Sequence, residues 1–173
     1  MDYFELVSRR RSIRQYENRE IEKEIIKKIL DCANQAPSAG NLQAYEIYVV
    51  TNDYQRSQLV KAALGQDFLE QAPVVLVFCA FPSRSAQRYK ERGETLYCLQ
   101  DATIACTYAM LAATALGLSS VWVGAFDESE VVNAVGLPAH IRPIVLLPVG
   151  YSEISQQSNS RRPFDDLIHF VGD

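Results

Sequence analysis

The chain has 173 residues, enough to enclose the core of one domain. Its apolar fraction of 48% and its charged fraction of 22% exclude the composition of an intrinsically disordered protein. The formal net charge of -4 argues against general nucleic-acid binding, which needs a broad basic surface, and without an apolar run before the first basic cluster we expect no signal peptide.

Arginines are concentrated near the start of the chain, where "SRRRSIR" follows a short helix predicted to begin after Asp2. Arg10, Ser12 and Arg14 alternate, so an extended segment would project all three to one side. Guanidinium groups bind phosphate through paired hydrogen bonds. A solvated charge run at a helix end explains the same residues, and both interpretations stay open at this point.

A second helix is predicted from Ile21 to Ala33, because its apolar residues recur at helical spacing. It must end before Pro37, and the segment "APSAGNLQAYE" follows. Ser38, Asn41 and Gln43 offer uncharged donors and acceptors that could bind the amide edge of a heterocycle. The alternative is a capped helix end and a loop whose polar groups bond locally.

The middle of the chain alternates strands and helices. Apolar runs predict strands at Tyr45–Thr51 and Pro73–Phe81, with a short helix around Tyr54–Leu64 between them. Pro82–Glu94 is predicted to be a polar excursion. The long helix Leu96–Leu116 follows, and its small residues would let a helix of a second subunit approach closely.

The last third of the chain contains a strand, "SSVWVG", a short helix over Glu128–Val135 and an inner strand, "RPIVLLPVG". At the end of the first strand, Gly124 would let the backbone approach a flat ligand closely, although an ordinary strand-to-helix turn also explains it. Arg161 and Arg162 near the C-terminus could meet the N-terminal arginines on one dianion, or form a surface pair.

These elements predict an α+β fold in which helices cover both faces of a central sheet. The four cysteines form no C-x-x-C pair, so we expect buried free thiols in a reducing cytoplasm and no metal site. No nucleophilic, metal-binding or paired acid–base pattern is present, so an enzymatic function would need a bound cofactor.

Four segments resemble the FMN-dependent nitroreductase family in order and spacing. "RRRSIRQY" is similar to the family's phosphate motif, and "APSAGNLQAYEIYVV" to its flavin-contacting loop and strand. "QDATIACTYAMLAATALGLSSVWVGAF" resembles its dimer helix and the glycine beside the flavin, and "RRPFDDLIHF" its closing tail. Ala44 and Tyr45 depart from the family's usual Pro-Trp, which could alter the pocket wall.

The resemblance implies a nitroreductase-like fold over residues 1–173: one FMN-binding domain, with a mostly antiparallel sheet sandwiched by helices, in an intertwined homodimer. It implies a site that contains residues of both subunits. The implied cofactor-binding residues are Arg10, Arg11, Ser12, Arg14, Arg161 and Arg162 at the phosphate, Pro37, Ser38, Ala39, Asn41 and Gln43 from the partner's loop, Gln66 at the pyrimidine end, and Gly124 and Ala125 at the reactive ring edge.

The resemblance further implies an oxidoreductase in which FMN carries the chemistry and no side chain is catalytic. NADH or NADPH would reduce the flavin, and nitroaromatics, quinones or similar small molecules would reoxidise it in ping-pong fashion. We expect no nucleic-acid or membrane partner. The alternatives are a dehalogenase or flavin-modifying member of the family, a flavin-storage or sensor protein without turnover, and a phosphate-binding or nucleic-acid-binding module.

Overall fold

The computed structural model describes residues 2–154 and 160–172. Within these ranges the α-helices are α1 (Tyr3–Arg9), α2 (Lys23–Asn34), α3 (Asp53–Ala62), α4 (Phe68–Gln71), α5 (Pro82–Arg92), α6 (Cys98–Ala115) and α7 (Glu128–Val135). The strands are β1 (Tyr45–Val50), β2 (Val74–Ala80), β3 (Ser119–Ser120) and β4 (Arg142–Gly150). Short 3₁₀ turns lie at Ala39–Asn41 and Phe164–Asp166, and a π-helical turn at Gly93–Tyr97.

The four strands form one sheet in the order β1-β2-β4-β3, and every neighbouring pair is antiparallel. β2 lies inside the sheet, and all seven of its residues are buried. Helices cover the sheet on both faces, so a strand in this position meets apolar side chains above and below. This arrangement confirms the predicted α+β fold with a mostly antiparallel sheet.

Alternate residues of β2 enter two separate hydrophobic clusters, one on each face of the sheet. Leu76 and Phe78 pack with α2 and α6, whereas Val75 and Val77 pack with α3 and α7. On the first face, α6 presents alanines at a spacing of four residues, which keeps its axis close to the sheet. Packing against the sheet therefore fixes the position of α6, and the loops that contact α6 are positioned by it.

The prediction of a polar excursion at 82–94 is wrong, because most of this segment forms the helix α5. Pro82 occupies the start of the helix, where its fixed φ is favourable and its missing N–H costs nothing. The helix then folds back onto the π-helical turn. A Cβ at Gly93 would lie 2.5 Å from the carbonyl oxygen of Ser85, so a glycine there permits this close return.

Two further predictions need correction. Only Ser119–Ser120 of "SSVWVG" pairs as a strand, and Val123 adds an isolated bridge to Leu146. Cys32 is exposed, since it lies on the outer face of α2, whereas the other three cysteines are buried as predicted. Burial raises the pKa of the Cys79 thiol to about 12.

In the described part of the chain, none of the helices combines the length and the apolarity needed to cross a bilayer.

Candidate functional site

The arginine segment that follows α1 lies along β3 as an added strand. The backbone N–H of Ile13 donates to the carbonyl of Ser120 at 3.1 Å, and Ser12 forms a parallel bridge with Ser120. Ile13 is buried in the core, while Arg14 is exposed and Ser12 half-buried. Because side chains alternate along an extended chain, the buried Ile13 directs its two neighbours outward, as the spacing predicts.

Positive charge from both ends of the chain gathers at Arg10. Partial burial lowers the pKa of the Arg10 guanidinium, and the positive charges of Arg161 and Arg11 lower it further. Among the residues described, no carboxylate lies within 4 Å of Arg10 or Arg14. A cluster of like charges suits a phosphate dianion, which would relieve the repulsion and accept several charge-assisted hydrogen bonds.

Arg11 and Arg162 bind backbone carbonyls of their own segments. Nη1 of Arg11 donates to the carbonyl oxygens of Ser8 and Arg10, the latter at 2.9 Å. Nη2 of Arg162 donates to the carbonyl of Asp166 at 2.9 Å. The two side chains stabilise the turns that present their neighbours.

The loop between α2 and β1 is held in an unusual backbone conformation. Gly40 and Asn41 both have φ of 57°, and Gln43 has φ of 43°. Ser38 Oγ accepts hydrogen bonds from the backbone N–H of Gln43 at 3.0 Å and from its Nε2 at 3.1 Å, and Gln43 Nε2 also donates to Asn41 Oδ1. Positive φ at non-glycine residues costs energy and concentrates at functional sites. Gln43 therefore braces this loop from within.

Asp101 of α6 fastens both ends of the same loop. Its side chain is buried, with 2% relative exposure. Oδ1 accepts a hydrogen bond from the N–H of Ala39 at 2.9 Å, and Oδ2 accepts one from the N–H of Ala44 at 3.2 Å. Sequence reasoning missed this role. The signal was present, because a carboxylate inside an otherwise apolar helix needs buried donors.

α5 covers the outer side of the loop. Nε of Arg84 donates to the carbonyl of Leu42, and Nη1 of Arg88 contacts the carbonyl of Gly40 at 3.4 Å. A Cβ at Gly40 would lie 2.5 Å from the hydroxyl of Tyr89 and 2.7 Å from Arg88 Nη1. Gly40 thus satisfies two needs, a positive φ and the close approach of a helix. Pro37, just before the loop, is exposed, and Ser38 and Ala39 are half-buried.

The turn at Gly124 and Ala125 is exposed and is held from behind. Nε2 of Gln66 donates to the carbonyl of Ala125 at 3.1 Å and to that of Ala63 at 2.9 Å. Asp127 follows, donating its backbone N–H to Ala62 at 2.9 Å and capping α7 with its side chain. Gln66 therefore acts on the backbone of this turn, a contact that the sequence did not reveal.

A groove of about 310 Å³ opens beside Gly124. Leu99 and Thr103 of α6 form one wall. Arg142 and Glu128 close it with a two-pronged ion pair, in which Nη2 donates at 2.7 Å and Nε at 3.0 Å. The hydrogen bonds from Arg142 lower the pKa of the Glu128 carboxyl. The described residues contain no group of three or more histidines, cysteines or acids arranged to hold a metal ion.

These parts occupy opposite edges of the sheet. The 38–43 loop leads into β1, while the arginine segment lies beyond β4 on the β3 side. Gly124 follows Val123, which also pairs on that side of β4, but its groove is lined by Leu99 and Thr103, which flank Asp101 in α6. Three strand spacings amount to about 14 Å. Arg11 and Ile13 line a groove with Thr114 and Leu118 at the C-terminal end of α6, whereas Asp101 lies near its start. At 1.5 Å per residue these two ends are about 20 Å apart. One chain therefore brings Arg161 near Arg10, but places the loop at the opposite edge of the sheet.

Comparisons with known proteins agree with this architecture. A sequence model of the Nitroreductase family matches residues 7–66 and 57–151. A protein of Methanothermobacter thermautotrophicus, provisionally named an NADH dehydrogenase/NAD(P)H nitroreductase, is 33% identical over 174 residues, covering 98% of this chain and 86% of the relative. The FMN reductase [NAD(P)H] of Bacillus subtilis is 28% identical over 172 residues, covering 92% of this chain and 69% of its own.

Among solved structures, nitroreductase A from Vibrio parahaemolyticus superimposes with a TM-score of 0.89 at 28% identity. The superposition covers 98% of this chain and 75% of that one.

Proposed function

The chain belongs to the nitroreductase family, and from that premise we propose that it is an NAD(P)H-dependent FMN oxidoreductase. The carrying observation is that Arg161 lies close enough to Arg10, at the opposite end of the chain, for its charge to lower the pKa of the Arg10 guanidinium, in a segment whose alternation projects Ser12 and Arg14 outward with Arg10. A relative named FMN reductase and another named NAD(P)H nitroreductase support the assignment of both FMN and the nicotinamide reductant.

The arginine cluster would hold the FMN phosphate. Arg10 and Arg14 have no carboxylate within 4 Å among the described residues, which fits a dianion better than a neutral ligand. When bound, FMN supplies the hydride and electron transfer that the side chains of this chain do not provide. Arg11 and Arg162 shape the two turns, and the phosphate contacts fall mainly to Arg10, Arg14, Arg161 and Ser12.

The turn at Gly124 would lie beside the reactive edge of the ring. Its backbone is exposed, Gly124 has no side chain to obstruct a flat ligand, and Gln66 fixes the carbonyl side of Ala125. Backbone N–H groups directed at a ring that becomes electron-rich on reduction would favour the reduced state. No proton donor is required of a side chain in this arrangement.

The separation of the two sheet edges supports a site shared between two copies of the chain. Within one chain, the 38–43 loop and the arginine segment lie at opposite edges of the sheet, and this separation favours a loop supplied by a second copy. Twofold packing of α6 against its partner would place the Asp101 end of one helix beside the Thr114 end of the other. Large apolar side chains also remain exposed on α1, α6 and the tail, and these would be covered in a homodimer: Phe4, Tyr108, Phe164, Phe170 and Val171.

The finer parts of the proposal are ping-pong turnover, nitroaromatic or quinone acceptors, one functional domain across residues 1–173 and a cytoplasmic location. Ping-pong exchange follows if reductant and acceptor use the same groove beside Gly124 in turn. That groove is small, about 310 Å³ in one chain, so compact planar acceptors suit it best. Initial rates at several fixed acceptor concentrations should then give parallel double-reciprocal lines, whereas intersecting lines would contradict the shared groove.

The decisive experiment is spectroscopic. Purified protein should be yellow, NADH or NADPH should bleach it without oxygen, and a nitroaromatic or quinone should restore the colour. Yellow protein that neither reductant bleaches would indicate a storage or sensor protein. Colourless protein that does not take up FMN but binds oligonucleotides would indicate a nucleic-acid-binding module.

A further inference from the structure

We propose that three arginines of α5, Arg84, Arg88 and Arg92, bind the phosphate groups of the nicotinamide reductant. This set is called the arginine strip below. The inference rests on the proposed function, because it assigns the residues that recognise the substrate at that same site. It also gives a role to the polar, basic segment 82–92 that forms α5.

The arginine strip is an exposed, strongly cationic surface. All three side chains of the arginine strip are exposed, and Lys90 adds a fourth cation. Within the described ranges, no carboxylate lies within 4 Å of any of them, although Glu91 and Glu94 are close in sequence. Other surface arginines of this chain do find acids, as Arg142 does with Glu128. A row of uncompensated guanidinium groups attracts anions and suits phosphate oxygens in particular.

Two side chains of the arginine strip contact tyrosine rings. The Arg88 guanidinium lies 5.4 Å from the ring centre of Tyr89, and that of Arg92 lies 5.3 Å from the ring centre of Tyr97. The two tyrosine rings meet edge to face at 5.0 Å, and Nε of Arg92 donates to the Tyr97 hydroxyl at 2.9 Å. Aromatic contacts therefore fix two of the arginines relative to each other before any ligand binds.

The arginine strip lies beside the 38–43 loop. Arg84 and Arg88 contact the carbonyls of Leu42 and Gly40, so the strip borders the loop assigned to the flavin. These contacts use one nitrogen of each guanidinium, and the remaining N–H groups can reach a ligand. A reductant that stacks its nicotinamide on the flavin must extend its phosphates away from the ring and along the wall of the cleft. The strip is a cationic wall that adjoins that loop.

Two phosphate groups of the reductant could be recognised: the bridging diphosphate, common to NADH and NADPH, and the 2′-phosphate, present only in NADPH. The double variant Arg88→Gln/Arg92→Gln removes two charges while leaving the Arg84 contact with the loop in place. The control is Lys28→Gln/Lys61→Gln, which removes the same charge from two exposed side chains on α2 and α3. Arg92→Gln alone is the second variant, since Arg92 contacts Tyr97 and not the loop.

Two measurements are made on the yellow, oxidised protein. KM is determined for NADPH and for NADH, and calorimetry measures the Kd of adenosine 2′,5′-bisphosphate and of adenosine 5′-diphosphate. We expect the double variant to weaken reductant and probe binding at least tenfold, Arg92→Gln to weaken it severalfold, and the lysine control to change it less than twofold. Losses confined to NADPH and the bisphosphate assign the 2′-phosphate, and losses with all four ligands assign the bridging diphosphate.

Unchanged KM and Kd values in the double variant would overturn the proposal. It would equally be overturned if flavin content fell while probe binding stayed the same, because the strip would then act only by supporting the loop. The calorimetric arm needs no turnover. Failure of the wild-type protein to be bleached would therefore count against the proposed function, while the probes would still report on the strip.

Discussion

The two edges of the sheet hold their parts of the site by different means. At the β3 edge, an extended segment bonds its backbone to Ser120 and projects charged side chains outward. At the β1 edge, an uncharged loop with positive φ at three residues depends on the buried carboxylate of Asp101. In the proposed function, the first edge would bind FMN through side-chain charge, and the second through the shape of its backbone. Substitutions at the first should therefore reduce ligand binding, and substitutions at the second should reduce stability as well.

The largest effect is expected at the charged edge. Arg10→Ala/Arg14→Ala removes two donors, and a hydrogen bond to a charged group contributes about 1.5–3 kcal/mol. FMN affinity should fall about a hundredfold or more, measured by fluorescence titration of the apoprotein, while the free energy of unfolding of the apoprotein stays nearly unchanged. Arg9→Ala is the control, because Arg9 pairs with Glu5 on the exposed side of α1. Full retention of flavin in the double variant would refute the phosphate assignment.

A smaller effect, on stability, is expected at the loop edge. Asp101→Asn turns an amide N–H₂ toward one of two backbone donors, and an unsatisfied buried group costs about 1–3 kcal/mol. Urea unfolding of the apoprotein should show this loss, and flavin retention should decrease with it. Asp31→Asn serves as the control, since Asp31 is an exposed partner of Lys27 and such pairs contribute little. Equal stability of the two variants would contradict the bracing role of Asp101.

The smallest effect on stability is expected at Gly40, where a positive φ and the close approach of α5 both require glycine. Gly40→Ala and Gly136→Ala both place a side chain at positive φ, 57° and 75° respectively, but a Cβ at Gly136 has nothing within 4 Å. Overpacking costs typically about 1–3 kcal/mol, so Gly40→Ala should lose about 1 kcal/mol more in urea unfolding than Gly136→Ala. An equal loss would mean that α5 moves aside freely and does not fix the loop.

Periodicity and composition predicted the features that depend on neighbours in sequence. The apolar run at β2 indicated a strand covered on both faces, and the alternation from Arg10 to Arg14 predicted which side chains project together. Local bonding of the polar groups was one of the two interpretations of the loop, and the hydrogen bonds of Gln43 to Ser38 and Asn41 lie within five residues. In each of these cases the controlling interaction is local.

The features that the sequence did not predict depend on distant contacts. The loop is tied to Asp101, about sixty positions away, and to Arg84 of α5, about forty. α5 itself was missed because its polar, basic composition gives no apolar face to recognise. Nε2 of Gln66 donates to the carbonyl of Ala125, 59 positions away, a contact that the sequence does not indicate, and its contact with a ligand stays a prediction.

The approach of Arg161 to Arg10 also bears on the conformational entropy of the whole chain, because these residues lie near its two ends. A dianion held by both would close a loop of nearly the entire chain, so the ligand would act as a noncovalent crosslink between the termini. The conformational entropy that the chain gains when the ligand leaves grows only slowly with the length of this loop. Loss of the ligand would also release the C-terminal tail, whose apolar side chains are exposed. Protease trimming of that tail would then report on cofactor occupancy without any measurement of colour or turnover.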